Sequence, residues 1–143
     1  MKRRLLWGIA LFVSACASPS QPGPAGGIST GIQVPVGREF DLGFGQEGRV
    51  QGTSIVIRFS GVTEDSRCPA DVQCVWAGNA LARLVLSSNA GPASDAALNT
   101  TLEPRAVVFS GHRIRLVGVK PLPRSGPAIP AGDYVVTLDV LPL

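Results

Sequence analysis

Cys68 and Cys74 stand with five residues between them in the run Glu64-Asp65-Ser66-Arg67-Cys68-Pro69-Ala70-Asp71-Val72-Gln73-Cys74-Val75-Trp76-Ala77-Gly78-Asn79. Thiols this close can ligate a metal, cycle electrons or form a bridge. A tetrahedral zinc site needs more ligands than these two cysteines and the chain's single histidine, His112, supply. The dithiol of a redox enzyme has the C-x-x-C spacing, which this pair lacks. Glu64, Asp65 and Asp71 offer oxygens, but calcium takes about six to eight, and no EF-hand or repeat spacing provides them. The residues therefore predict no cofactor and no metal.

Nucleophilic and acid/base chemistry find little more. His112 follows Ser110-Gly111 at a predicted turn leading into a strand, and no G-x-S-x-G elbow marks a serine as activated. Glu64 and Asp65 are adjacent, so in an extended chain they point to opposite faces. A metal-dependent hydrolase would need His112 and at least two carboxylates to converge in a cleft. No Gly-rich phosphate loop precedes a helix, and no convincing helix exists for one to open.

The N-terminus carries an address. Lys2, Arg3 and Arg4 precede an apolar run from Leu5 to Val13 that ends in Val13-Ser14-Ala15-Cys16. The run is too short to span a bilayer, and it resembles a bacterial lipoprotein signal peptide. That resemblance implies removal of residues 1–15 and lipidation of Cys16, with fatty acyl chains such as palmitate, as the new N-terminus. Stable anchoring takes more than one chain. Ala17 and Ser18 follow, where an aspartate would resemble an inner-membrane retention signal, so a diderm host would place the protein at its outer membrane. Ala15-Cys16-Ala17 also fits an ordinary A-x-A cleavage site, which would release a soluble chain from Ser18. Either way the chain is exported.

Export decides the fate of the remaining thiols. With Cys16 acylated or removed, Cys68 and Cys74 are an isolated pair in an oxidising compartment, and a disulfide is predicted. Closing so short a loop stabilises by about 2 kcal/mol on the chain-entropy model. Pro69 holds Cys68 out of the helical region. Trp76, two residues past Cys74, would return to the same strand face and pack over the bridge. Asp65 is expected to accept backbone hydrogen bonds and to pair with Arg67.

The Asp65-Ser66-Arg67-Cys68-Pro69 and Cys74-Val75-Trp76-Ala77-Gly78 pair resembles a motif, DSRCP then CVWAG, of a family of small bacterial secreted proteins and lipoproteins. The likeness extends more loosely over Val36 to Leu141, to the Asp-Tyr-Val-Val ending. It implies export and a common fold, and it implies no chemistry.

Charge excludes a further class. The chain has 13 Lys and Arg against 10 Asp and Glu, but Lys2, Arg3 and Arg4 leave with the signal, so the mature part is balanced. Without a basic stripe interleaved with aromatics, nucleic acid is not an expected partner.

The elements that must position the loop read as strands. Residues 16–32 form a lipidated N-terminus and a flexible Ser/Pro/Gly/Gln/Ala linker, and 33–143 a single domain. Phe40, Leu42 and Phe44 alternate with polar neighbours, as do Ile55, Ile57 and Phe59. Ala80, Ala82, Leu84 and Leu86 share a face, Ile114 and Leu116 interleave with arginines, and Tyr134, Val136, Leu138 and Val140 form the clearest run. Turns are predicted at Gly45 to Gly48, Asn89 to Pro92 and Arg124 to Pro127, and an irregular turn at Ala93 to Leu98. The result is an all-β, mostly antiparallel, immunoglobulin-like β-sandwich of about seven strands, with a small open barrel as the alternative. The last strand is expected deep in a sheet.

Two functional classes follow. The first is a non-catalytic envelope module that meets the membrane through its lipid anchor and either binds an envelope protein or glycan or structurally supports a neighbouring envelope complex through the stapled loop, with Asp65, Arg67, Pro69, Asp71, Gln73 and Trp76 as candidate contacts. A variant is a protease-inhibitor-like protein presenting Pro69 to Gln73 as an extended segment. The second class is the metal-dependent hydrolase already weighed.

Overall fold

The computed structural model describes residues 31–143, so the expected signal peptide, Cys16 and most of the expected linker lie outside the described residues. In chain order the elements are β1 (Ile32–Val34), β2 (Phe40–Gly43), β3 (Glu47–Val50), β4 (Val56–Asp65), β5 (Ala80–Ser88), β6 (Gly91–Asn99), β7 (Ala106–Phe109), β8 (His112–Lys120), a 3-10 turn η1 (Ala131–Asp133) and β9 (Val135–Pro142). They form two sheets, β1-β3-β4-β5-β6 and β2-β9-β8-β7, not closed into a barrel. The predicted β-sandwich is the fold, with nine strands in place of about seven.

Alternation builds the core between the sheets. Ile57 and Phe59 from β4, Ala82, Leu84 and Leu86 from β5, Ile114 and Leu116 from β8 and Val136, Leu138 and Val140 from β9 are all buried. Each large one contributes about 1.5–3 kcal/mol by leaving water. β9 lies between β2 and β8, so the last strand is central, as expected. Its outward residues Thr137 and Asp139 are buried too. Thr137 donates to Asp41 on β2, and Arg115 on β8 covers Asp139.

Three local expectations are corrected. Residues 93–98 are strand, not an irregular turn: they pair along β5, with Ala96 and Leu98 facing the core. Small alanines at those positions gave a weak apolar signal. The turn expected at Gly45 to Gly48 ends earlier, because β3 begins at Glu47. Gly48 is a strand residue whose missing side chain leaves room for Val34, which a Cβ would meet at 3.0 Å. Phe44 lies beyond β2, half exposed, against Gly61.

The strand directions sort the connections into two ends. Residues 44–46, 66–79, 100–105 and 121–134 gather at the end where β4 finishes and β5 starts, hereafter the stapled end. Residues 35–39, 51–55, 89–90 and 110–111 gather at the other.

Candidate functional site

Cys68 and Cys74 form the predicted disulfide, with Cα atoms 5.9 Å apart. The bridge is only one of several ties on the β4–β5 connection. Arg67 forks onto Asp65, Nε to Oδ1 at 2.8 Å and Nη2 to Oδ2 at 2.7 Å. The side chains of the two are 8% and 12% exposed, so the pair is well shielded from solvent. The same guanidinium donates to the carbonyls of Val119 and Pro121. Arg67 thereby spends its donors across three elements, which the planar fork of arginine permits and a lysine ammonium does not.

Tyr134 completes this knot by donating from its hydroxyl to Asp65 Oδ2 at 3.0 Å. Burial works to raise the pKa of Asp65, but hydrogen bonds from the Arg67 side chain and backbone and from Tyr134 outweigh it, and the carboxyl sits below its usual range. Burial and the neighbouring carboxylate hold the Tyr134 phenol above its usual range.

The tip is fastened to the same neighbour. Ala70 N donates to the Pro123 carbonyl, and Ser125 N donates to Asp71 Oδ1 at 2.8 Å. That second bond lowers the Asp71 pKa. A bond from Val72 N to the Pro69 carbonyl closes a turn, so residues 69–72 are bent rather than extended.

The return limb is fixed by Gly78 and Asn79. Gly78 has φ +69°, and a Cβ there would stand 1.9 Å from the Ser66 carbonyl oxygen. Only glycine allows the two limbs to approach so closely. Asn79 donates to Asn99 Oδ1 at 2.7 Å, while its own Oδ1 accepts from Thr101 N and Oγ1, both at 3.1 Å. It pins the 100–105 connection beside the stapled loop.

Asp65, Arg67, Cys68, Cys74, Gly78 and Asn79 are thus occupied in holding the loop, whereas Val75 and Trp76 are held by nothing. Val75 is 89% and Trp76 74% exposed. The expectation that Trp76 packs over the bridge is corrected: residues 75–76 lie in a bend, not in a strand, so the return to one face never occurs. Trp76 instead lines an open niche of about 380 Å³ together with Ser66, Thr101 and Leu102. Gln73 is exposed and Pro69 half-buried.

Six of the ten exposed large apolar side chains among the described residues belong to the stapled-end connections, while Val108, Leu141 and Leu143 lie toward the other end and Ile32 on β1. Phe44, Val72, Leu102 and Leu122 are all 46–63% exposed and all lie in connections at the stapled end. A second groove, of about 350 Å³, runs between the end of β4 and residues 123–134, with Glu64, Arg124 and Ile129 in its walls.

Acid/base and metal constellations are not assembled here. His112 begins β8 at the opposite end, its Nδ1 3.0 Å from the Ser110 carbonyl oxygen, far from Glu64, Asp65 and Asp71. Among the described residues no group of three or more His, Cys, Asp or Glu side chains is placed to hold a metal. No helix among them is long and apolar enough to cross a membrane.

Sequence reasoning missed Tyr134, Asn79 and Asn99. An asparagine beside a glycine carries no signal of a distant partner, and Tyr134's partner Asp65 and Arg67's carbonyl partners lie more than fifty residues away. No protein-family model matches the chain, and no curated protein or solved structure shows significant similarity to it.

Proposed function

We propose that the chain is an exported, lipid-anchored, non-catalytic module that binds a component of the cell envelope through its stapled end. The observation that carries this reading is the division of labour in the loop. Six residues fix the backbone by bridge, ion pair, hydrogen bond and close packing, while a tryptophan and a valine are left in solvent on that fixed support. Rigid aromatic side chains in a preorganised loop lose little entropy on binding, which is why they dominate contact energies. Anchoring at Cys16 supplies the location. The bent 69–72 segment disfavours the inhibitor-like alternative, which relies on an extended strand for a protease to read.

The test places a photo-crosslinking residue at position 75 and, as a comparison, at position 108, which is exposed on an edge strand. Cells expressing each form are irradiated, and metabolic labelling with fatty acid is scored alongside with a Cys16→Ser control. The proposal predicts acyl label lost in the Cys16→Ser form, and an envelope adduct at 75 but not at 108. Equal or absent adducts at both positions would overturn the binding surface; label unaffected by Cys16→Ser would overturn the anchor.

A further inference from the structure

The structure points to the occupant of the stapled end: we infer that this end rests on the lipid bilayer to which Cys16 is tethered, with Val75 and Trp76 in the interfacial layer. The inference rests on the anchor reading above and adds an orientation to it. Three observations carry it.

The first is the direction in which the chain enters the fold. β1 lies parallel to β3, pairing Ile32 with Gly48, and Glu47 at the start of β3 pairs with Arg58 of β4. β4 then runs on to Asp65 at the stapled end. Followed backwards from Val34 to Ile32, β1 therefore heads toward that same end. Gly31, the first described residue, thus stands on the stapled-loop side of β1, away from the short turns.

The second is length. Two bulges in β4 leave only the five steps from Val85 to Ala80 opposite Arg58 to Asp65, so at the rise of a strand the distance between those levels is about 17 Å. Residues 17–30 separate Cys16 from Gly31, and that number of residues can reach at most about 50 Å. This exceeds the gap, so both surfaces can be engaged at once, which is the condition for one attachment to raise the effective concentration of the other. The acyl chains and the stapled loop can thus occupy one bilayer surface together.

The third is chemistry. Phe44, Val72, Val75, Trp76, Leu102 and Leu122 put their apolar surface at this end, and tryptophan is the side chain most at home where headgroups meet hydrocarbon. Exposed Glu64, Asp71, Glu103 and Asp133 there outnumber exposed Arg105 and Arg124. Attraction to anionic headgroups therefore does not drive the contact. Apolar insertion into a zwitterionic surface does, and it is insensitive to salt.

The experiment uses the mature acylated protein in phosphatidylcholine and phosphatidylethanolamine vesicles, with and without lipid brominated near the glycerol. Trp76 is the only tryptophan left after processing, so its emission reports one site. The inference predicts emission shifted to the blue and quenched about twofold by the brominated lipid at low and high salt alike, as for an interfacial indole. Val75→Asp, with the disulfide and circular dichroism unchanged, should restore most of the emission. Trp76 left unquenched by bromine and open to iodide, while acyl label persists, overturns the docking and leaves the anchor standing. Quenching abolished by salt, or a protein adduct at position 75 in the crosslinking experiment, overturns it equally.

Discussion

At the far end of the sandwich β7 turns into β8 through Ser110 and Gly111, both at positive φ, and β5 turns into β6 through residues 89–90. The Ser110-Gly111 turn has the backbone that matches the twist of its strands, and a few local hydrogen bonds through Ser88 complete the two turns. The stapled end solves a different problem. Its connections 66–79 and 121–134 are too long to be fixed by turn geometry, so a disulfide, the Asp65–Arg67–Tyr134 knot, Asp71 and Asn79 tie each to its neighbour. The same ties leave Trp76 and Val75 exposed on a fixed backbone, which is the premise of the proposed binding surface. A short turn would have been the simpler way merely to join β4 to β5.

Matched substitutions at the two ends should separate sharply. Gly78 and Gly37 have nearly equal φ, +69° and +78°, but a Cβ at Gly37 meets nothing within 4 Å. Gly37→Ala should cost about 1–2 kcal/mol for the left-handed backbone alone. Gly78→Ala adds a clash with backbone and should cost at least about 4 kcal/mol, measured by urea unfolding, or prevent folding. Equal losses would mean that the limbs of the stapled loop do not approach as described.

The ion pairs give the next contrast. Arg67→Ala removes the counter-charge of Asp65, which keeps only its bonds from Tyr134 and the backbone N of residue 67, and should cost about 2–3 kcal/mol. Lys120→Ala, which breaks a pair with Asp41 whose side chains are 61% and 50% exposed, should cost less than about 0.5 kcal/mol. Because the folded pKa of Asp65 lies below its unfolded value, its contribution is complete above that unfolded value, about 3.9, and is lost as pH falls through the folded one. Asp41, whose bond from Thr137 lowers its pKa, acts in the same direction. Unfolding free energy should thus be level from about pH 5 to 8 with respect to these groups and fall below about pH 4, and Asp65→Asn should make that acid fall shallower.

Reduction of the disulfide should cost about 2 kcal/mol by chain entropy, measured with and without reductant on the mature protein. A loss near zero would show that the remaining ties hold the loop alone.

Much of the frame was legible because period-two alternation is a local signal: Ala80 to Leu86, Ile114 with Leu116 and Tyr134 to Val140 all face the core as read. β6 escaped because its inward residues include small alanine, and Gly48 misled because a glycine needed for the approach of β1 reads as a turn. Within the loop, the disulfide and the Asp65–Arg67 pair could be read from spacing and compartment. The reach of Arg67 to Val119 and Pro121, and of Tyr134 to Asp65, could not, since carbonyl partners carry no sequence signature. Trp76 was misplaced for a related reason. Two-residue spacing implies one face only in a strand, and the loop bends there.

The division between residues that hold the loop and residues held out by it is tested most directly by the unfolding free energy of Trp76→Ala. With the indole 74% exposed, its removal should leave the stability of the mature protein within about 0.5 kcal/mol of the original. A loss of about 2 kcal/mol or more would mean that Trp76 is packed as part of the scaffold, and the stapled end would lose its claim to be a binding surface.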